Sequence, residues 1–275
     1  MPAVSALDQI FAANRSVGQI SLTVAAPAGA TRRTRVAEDG PLRIRFPETT
    51  TSSLEAVIVN TAGGIAGGDR HRVDIFAEQN ARLCVTTAAA EKVYRSLGPN
   101  AAVDVRLKVC KGARLAWLPQ ETILFDRARL VRTIEIDLER GASLTLAEAL
   151  VFGRSAMGEA IEDGLLSDRW RLRLDGKLIF AETVRLDGAI SDRLANSAVT
   201  AGNVAIASVL VAPADEQAAE RVRALAGSFS GEVGVSAWNG LAMARLCAKD
   251  GASLRGDLAA VLTALGGDLP RLWLN

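Results

Sequence analysis

Three segments of the sequence share one pattern that decides the fold: VDIFAEQNARL at 73–83, VRLKVCKGARL at 105–115 and IEIDLERGASL at 134–144. In each, apolar and polar residues alternate as in a half-buried strand, and a small turn residue leads into a second strand. The copies start about 30 residues apart, which is typical of stacked units that bury one another's faces. A looser fourth copy, WRLRLDGKL, occupies 170–178. The repeat predicts layered β-coils, and the alternative is a meandering sheet that reuses one type of turn.

The last third of the chain has a different pattern. Segments 213–226 and 257–265 show the 3.6-residue periodicity of amphipathic helices, and Asn239-Gly240 predicts a hairpin turn between two strands. We therefore predict a mainly β protein. A layered or helical, β-solenoid-like sheet domain occupies 15–200, and a small α/β segment with two helices occupies 201–275, packed on that core as one unit.

The composition excludes several classes of protein. The 275 residues include 32 Lys and Arg against 31 Asp and Glu, so no net field attracts nucleic acid or an anionic membrane. A closed transition-metal site normally needs several His or Cys ligands, whereas His71 is the one histidine and the three cysteines are far apart. Scattered cysteines in odd number indicate a reducing compartment. No apolar run reaches the roughly 18 residues of a membrane span, and Met1 to Ala13 lacks a secretory signal, so we expect a cytoplasmic protein.

A glycine-rich turn, TAGGIAGGDR at 61–70, follows an apolar strand. Such a turn can present backbone N–H groups to phosphate, but its spacing matches neither the dinucleotide-binding fingerprint nor the P-loop. Another strand follows it, where both motifs require a helix. A structural role for the glycines is therefore favoured, with nucleotide binding at Gly63 to Gly68 as a minor alternative.

Carboxylates in otherwise apolar stretches are the candidate functional groups. Glu121 and Asp126 lie in WLPQETILFD at 117–126, and Glu148 and Glu159 flank a second glycine-containing loop. Embedded carboxylates are costly unless they are paired or functional. Two of them could act as acid and base in glycosyl hydrolysis or contact a metal through oxygen, while hydrogen-bonded acids that hold a turn are the structural alternative.

In their order along the chain, these blocks resemble the urease accessory protein family UreD, also called UreH. The resemblance is carried by TAGGIAGGDR at 61–70, TTAAAEKVYRS at 86–96, LAWLPQETILFDRARL at 115–130 and FGRSAMGE at 152–159. It covers roughly residues 15 to 190 and is diffuse beyond about residue 200.

The resemblance implies a role without catalysis. Members of this family help to incorporate nickel into apo-urease, in an assembly with UreF and, through UreF, with the GTPase UreG, which alone binds GTP. It further implies a β-rich fold of layered sheets, no cofactor of the protein's own, transient passage of Ni²⁺, and neither nucleic acid nor membrane as a partner.

The resemblance also assigns roles to residues in the matched blocks. Four carboxylates would offer transient oxygen contacts to Ni²⁺, and two hydroxyls would line its passage: Asp69, Glu121, Asp126 and Glu159, then Thr86 and Thr87. Oxygen ligands bind this metal more weakly than imidazole or thiolate, so the ion could leave again. The alternative from another class of protein is a β-solenoid hydrolase that uses Glu121 and Asp126.

Overall fold

The computed structural model describes residues 15–48, 53–154, 157–267 and 269–273. Met1 to Ala13, for which the sequence predicts no secretory signal, lie outside these ranges. Within the described ranges, no helix is long and apolar enough to cross a membrane.

Seventeen strands are formed within these ranges: β1 (Val17–Ala25), β2 (Arg32–Asp39), β3 (Leu42–Arg45), β4 (Leu54–Asn60), β5 (Arg70–Ala77), β6 (Arg82–Thr87), β7 (Glu91–Val93), β8 (Ala101–Val109), β9 (Arg114–Trp117), β10 (Thr122–Leu124), β11 (Arg129–Leu138), β12 (Ser143–Phe152), β13 (Asp163–Leu174), β14 (Lys177–Ala189), β15 (Ala205–Ala212), β16 (Glu232–Trp238) and β17 (Leu241–Ala248). The helices described are α1 (Ile190–Ala195), α2 (Glu216–Arg223) and α3 (Gly251–Ala264), with 3-10 turns at Ala226–Ser228 and Arg271–Trp273.

The strands form two sheets that enclose the main apolar core. Sheet A has the order β14-β13-β11-β8-β5-β1-β2, and sheet B has the order β16-β17-β15-β12-β9-β6-β4-β3. The short strands β7 and β10 pair with each other, and β10 also pairs with the end of β12, so these two strands form a short branch of sheet B. The core between the sheets is mostly aliphatic, and each buried Val, Leu or Ile side chain there contributes about 1.5–3 kcal/mol relative to exposure.

Each full copy of the sequence repeat forms one coil. Its first half lies in sheet A as β5, β8 or β11, and its second half lies in sheet B as β6, β9 or β12. In parallel register, Val73, Val105 and Ile134 form one ladder in sheet A. Equivalent leucines form a second ladder in sheet B: Leu83, Leu115 and Leu144. The predicted layered, β-solenoid-like fold is confirmed. Residues at equivalent positions of the repeat pair with one another on neighbouring strands.

The turns of the coils stack on one another. Asn80, Gly112 and Gly141 occupy equivalent positions with φ of 62°, 75° and 86°, where glycine or asparagine is favoured. The Asn80 N–H donates to the Lys111 carbonyl at 3.3 Å, and the Gly112 N–H donates to the Gly141 carbonyl at 3.1 Å. A Cβ atom at Gly112 would lie 2.2 Å from Asn80 Oδ1. The turn therefore needs small residues because successive coils approach closely there.

The fourth copy of the repeat does not form a coil. Its two strands, β13 and β14, pair antiparallel within sheet A, so they form a hairpin. Two residues, Asp175 and Gly176, separate these strands, whereas four residues separate the strands within each coil. Asp175 and Gly176 both have positive φ, at 49° and 80°, as in the short turns that join adjacent antiparallel strands. The two-residue loop keeps the chain in sheet A, and β14 becomes the edge of that sheet.

The C-terminal segment extends sheet B and covers its outer face. Strand β15 pairs antiparallel with β12, and the β16–β17 hairpin turns at Asn239 and Gly240, as the sequence predicts. Helices α2 and α3 pack on the outer face of sheet B through an aliphatic cluster that includes Val222 and Leu258. Helix α3 begins earlier than predicted because Asp250 caps it, accepting a hydrogen bond from the Ser253 N–H at 2.8 Å. The short helix α1 is an element that the sequence analysis did not predict.

Candidate functional site

One register row brings polar side chains into the apolar interior. Equivalent positions on neighbouring strands of sheet A align as His71, Val103, Arg132 and Asp168. Side chains at aligned positions of a ladder point to the same face, which is here the face toward sheet B. Glu148 of β12 meets Arg132 from sheet B. One position in each coil therefore determines the polarity of this row.

Arg132 is held between two carboxylates. Its Nε and Nη2 atoms donate to Asp168 Oδ1 and Oδ2 at 3.0 and 2.5 Å, and its Nη1 atom donates to Glu148 Oε2. Trp117 Nε1 donates to Glu148 Oε1 at 2.8 Å, and Trp170 Nε1 donates to Asp168 Oδ1 at 3.2 Å. The three charged residues are only 4–5% exposed. Such geometry makes the hydrogen bonds strong and fixes the orientation of each group.

The cluster contains two acids and one permanent cation. Burial raises the pKa of Glu148 to about 7, although the charge of Arg132 opposes the shift. Burial by itself would lower the pKa of Arg132, but attraction to Asp168 and Glu148 outweighs it and raises that pKa. The guanidinium therefore stays charged, and burial makes the protonated form of Glu148 more favourable than that of a solvent-exposed glutamate.

Glu148 borders two cavities between the sheets. The larger has a volume of about 90 Å³ and is also lined by His71 and Glu91. The smaller, of about 20 Å³, is also lined by Asp168 and Glu182. A cavity needs a volume of about 10–15 Å³ to hold one water molecule, so each of the two cavities is large enough for water. Glu148 is therefore a residue that the two cavities share.

The larger cavity contains a second acid with a shifted pKa. Burial raises the pKa of Glu91 to about 7, while hydrogen bonds from Asn60 oppose the shift. Asn60 Nδ2 lies 3.2 Å from both carboxylate oxygens of Glu91, and within the described residues no basic side chain forms an ion pair with Glu91. Burial also lowers the pKa of His71, against the charge of Asp69. Neutral forms are therefore favoured at this end of the row.

An exposed ion pair joins β14, the edge strand of sheet A, to β17, the second strand of sheet B, at the other end. Arg245 of β17 donates to Glu182 of β14 through two contacts, at 2.8 and 2.9 Å. The side chain of Glu182 is 13% exposed and that of Arg245 is 60% exposed. Since Glu182 also lines the smaller cavity, this pair lies between that cavity and solvent.

Three of the four carboxylates predicted to contact nickel hold loops in place. Asp69 accepts two backbone N–H groups at 2.8 and 2.7 Å, which fastens the glycine-rich turn to the residues before β1. Asp126 accepts two backbone N–H groups at 2.9 and 3.2 Å at the start of β13. Glu159 pairs with Arg154 at 2.6 Å. Each of these carboxylates already has partners that explain its position.

The remaining predicted residues lie in three different places. Glu121 pairs with Arg255 through contacts at 2.8 and 2.6 Å and thereby fastens α3 to the loop before β10. Thr86 and Thr87 point to opposite faces of β6 because successive strand side chains alternate. Thr87 lines the larger cavity, whereas Thr86 is fully buried on the other face. The structure does not bring the six predicted residues together. Within the described part of the chain, no group of three or more His, Cys, Asp or Glu side chains could hold a metal ion.

The four sequence blocks that carry the resemblance meet at one corner of the solenoid. The Tyr94 hydroxyl donates to the Gly63 carbonyl at 2.9 Å, and the rings of Tyr94 and Phe125 pack edge to face at 5.1 Å. The Arg154 guanidinium lies 4.2 Å from the centre of the Phe125 ring. A Cβ atom at Gly64 would lie 2.4 Å from the Tyr94 ring, so close packing accounts for that glycine.

Sequence reasoning noted Glu148 but selected neither Arg132 nor Asp168. Arg132 stands between Leu130 and Ile134 at a position where the alternation of β11 predicts an inward, apolar residue. A charged residue at an inward position of a regular strand was the signal available. The partner Asp168 lies 36 residues away, and only the register of β11 with β13 places it beside Arg132.

Comparisons with known proteins identify relatives of the whole chain. A family model described as UreD urease accessory protein matches residues 16–274. A protein named Urease accessory protein UreD from Rhodopseudomonas palustris strain BisA53 is 58% identical over 266 residues, which are 97% of this chain and 93% of that protein. One of the same name from Bradyrhizobium diazoefficiens is 56% identical over 272 residues, or 99% of each chain. The similarity thus includes the C-terminal strands and helices, beyond the blocks at 15–190.

Proposed function

The chain belongs to the UreD family of urease accessory proteins, and from this premise we propose that it supports the incorporation of nickel into apo-urease. It acts as a non-enzymatic scaffold in the cytoplasm. It binds UreF and, through UreF, the GTPase UreG, and UreG alone binds GTP. The high identity to relatives named as urease accessory proteins over nearly the whole chain supports this proposal.

The ion is carried between the two sheets. The observation that supports this route is the position of Glu148, whose carboxylate borders both interior cavities. Glu182 and Asp168 line the smaller cavity, Glu91 lines the larger one, and Glu148 lines both, so each cavity offers carboxylate oxygen atoms to the ion. Oxygen ligands hold Ni²⁺ more weakly than imidazole or thiolate, and Arg132 neutralises part of the negative charge. Both properties favour release of the ion over storage.

The contacts assigned through the family resemblance remain part of the proposal. Asp69, Glu121, Asp126 and Glu159 would offer oxygen atoms to the ion only by exchanging partners that they already have. Thr87 would line the route beside the larger cavity. No observation favours the hydrolase alternative: Glu121 is paired with Arg255, Asp126 with two backbone amides, and neither borders the two interior cavities.

The function is tested by reconstitution. Apo-urease, UreF and UreG are co-expressed with and without this chain, and urease activity and the nickel content of purified urease are measured. We expect both to depend on the chain, and the chain to co-elute with UreF in size-exclusion chromatography. Equal activity and nickel content without the chain would overturn the proposed function.

The route is tested separately with Glu148→Gln, which keeps the size of the side chain and the acceptor for Trp117. Glu135→Gln is the matched control, because Glu135 pairs with Arg173 on the outer face of sheet A. We expect Glu148→Gln to lower urease activation while the complex still assembles, and Glu135→Gln to leave activation unchanged. Normal activation with Glu148→Gln would exclude the route between the sheets and leave the scaffold role standing.

A further inference from the structure

A second, separate cleft lies on the outer face of sheet B. It has a volume of about 270 Å³ and an opening to solvent. Its floor is formed by β4, β6, β9 and β12, and its wall by the segment that follows α3. The cleft is on the opposite side of sheet B from the interior row, so it is independent of the proposed nickel route.

Glu55 forms one end of the floor of this cleft. The residue is 7% exposed, and its Oε1 atom has no hydrogen-bond partner among the described residues. No ion pair of Glu55 occurs there either. A buried carboxylate oxygen without a partner is costly, and most buried polar atoms of native proteins are satisfied. Glu55 therefore points to a ligand group that donates a hydrogen bond or carries positive charge.

Small side chains keep the floor beside Glu55 open. Glu55 pairs in register with Cys84, Cys84 with Ala116, and Ala116 with Thr145. These residues form one row across four strands, all on the outer face. Since neighbouring strands are about 4.8 Å apart, the row extends about 14 Å away from the strand of Glu55 to Thr145.

A second row offers the opposite charge. Arg82, Arg114 and Ser143 pair in register, two residues before the first row on each strand, and all three line the cleft. Within the described part of the chain, Arg114 forms no ion pair, and its side chain is exposed at the cleft. Guanidinium groups beside a hydroxyl are suited to a carboxylate or another oxyanion.

The distance between Glu55 and Arg114 limits the length of the ligand. Glu55 and Arg114 lie two strands apart and two residues apart along the strands, so about 12 Å separates their Cα atoms. Their side chains take up part of that distance, and the amino and carboxylate ends of an extended dipeptide, about 7 Å apart at roughly 3.5 Å per residue, bridge the remainder. The wall of the cleft is apolar, with Pro213, Leu265, Leu269 and Pro270. The volume is slightly below the range of about 300–1,000 Å³ that holds drug-sized ligands.

We propose that this cleft binds a small zwitterion of the dipeptide class, with the ammonium group on Glu55, the carboxylate on Arg114 and an aliphatic side chain against Leu265 and Leu269. The buried Glu55 oxygen without a hydrogen-bond partner and the exposed Arg114 guanidinium together suit the two opposite charges of such a ligand. A simple anion would leave Glu55 unsatisfied, and a simple cation would be repelled by the arginines.

The test is isothermal titration of the full-length protein with glycyl-leucine as the probe, compared with N-acetyl-glycyl-leucine and glycyl-leucine amide. We expect one molecule of glycyl-leucine to bind at millimolar concentration or below. Each blocked peptide lacks one of the two charged contacts, so each should bind about tenfold more weakly or worse. Absence of binding by glycyl-leucine, or equal binding of all three peptides, would overturn the proposal.

Substitutions at Glu55 and Arg114 test which residue binds each charged group of the peptide. Glu55→Gln should weaken glycyl-leucine binding about tenfold or more, and it relieves a buried charge, so loss of folding is not expected. Arg114→Gln should weaken it similarly. Arg106→Gln, an exposed arginine on β8 of sheet A, is the matched control and should bind like the wild type. Equal affinity of the Glu55 and Arg114 variants and the control would exclude the cleft as the binding site.

Discussion

Glu91 should make the stability of this protein depend on pH in the neutral range. Its carboxylate lies at the larger cavity, its hydrogen bonds come from a neutral amide, and no cation compensates its charge within the described residues. Burial raises its pKa from the ordinary value of 4.5 to about 7. Glu91→Gln keeps an oxygen that can accept from Asn60 and removes the ionisation.

The sign follows from linkage between protonation and folding. Because the pKa is higher in the folded state, the folded state holds a proton that the unfolded chain has already lost between pH 4.5 and 7. The stabilising contribution is complete below pH 4.5 and is lost as the pH rises through 7. A pKa change from 4.5 to about 7 corresponds to about 3 kcal/mol at about 1.4 kcal/mol per pH unit. Glu91 is partly exposed, so screening reduces the expected effect to about 1–3 kcal/mol.

Urea denaturation at pH 5, 6, 7 and 8 measures the effect. We expect wild type and Glu91→Gln to have similar unfolding free energies at pH 5, and the variant to be more stable by about 1–3 kcal/mol at pH 8. The m-values should agree, since the buried surface does not change. Glu135→Gln, at an ion pair on the outer face of sheet A, serves as control, and its unfolding free energy should not diverge from that of the wild type in this way between pH 5 and pH 8. Parallel pH profiles for wild type and Glu91→Gln would refute the reasoning.

Two further changes test the buried cluster and the turns. Arg132→Met leaves Glu148 and Asp168 buried without their cation, so the unfolding free energy at pH 7 should fall by about 3–5 kcal/mol, partly recovered when both acids are also made neutral. If urea denaturation shows that Arg132→Met loses less than about 1 kcal/mol of unfolding free energy, the three side chains do not form a buried, paired cluster. Gly112→Ala should cost about 2 kcal/mol and Gly141→Ala about 1 kcal/mol, because both need positive φ but only Gly112 also approaches another coil closely. Equal losses of unfolding free energy for the two variants would show that the contact between position 112 and Asn80 adds no cost.

The coils were predictable because one repeat encodes both strands and the turn between them. Aligning the three copies aligns Val73, Val105 and Ile134, and these residues pair in the structure. The fourth copy was predicted as another coil because its apolar pattern is the same, but its loop is two residues shorter. Loop length determines whether the chain crosses to the other sheet or turns back within the same one. The pattern of apolar residues contains no information on that choice.

The interior site was less accessible from sequence. Carboxylates in apolar stretches attracted attention, but Asp69, Asp126 and Glu159 satisfy backbone groups or pair locally, as acids in turns commonly do. The interior row consists of residues from separate coils, and its members become neighbours only through strand register. Thr86 and Thr87 show the same limit at short range, because a run of two hydroxyls cannot line one cavity from a strand.

The energetics of the row are the physical reason to regard it as functional. Val103 occupies the same register row as His71 and Arg132, so an apolar residue fits this position of a coil. Buried ion pairs rarely stabilise more than well-packed apolar residues of similar size, because desolvation cancels most of the attraction. A chain selected only for stability would therefore be expected to continue the aliphatic ladder through Arg132 and Asp168. Instead, the coils place a permanent cation and two acids between two cavities, at a cost in stability that transport of a charged ion through the same space would explain.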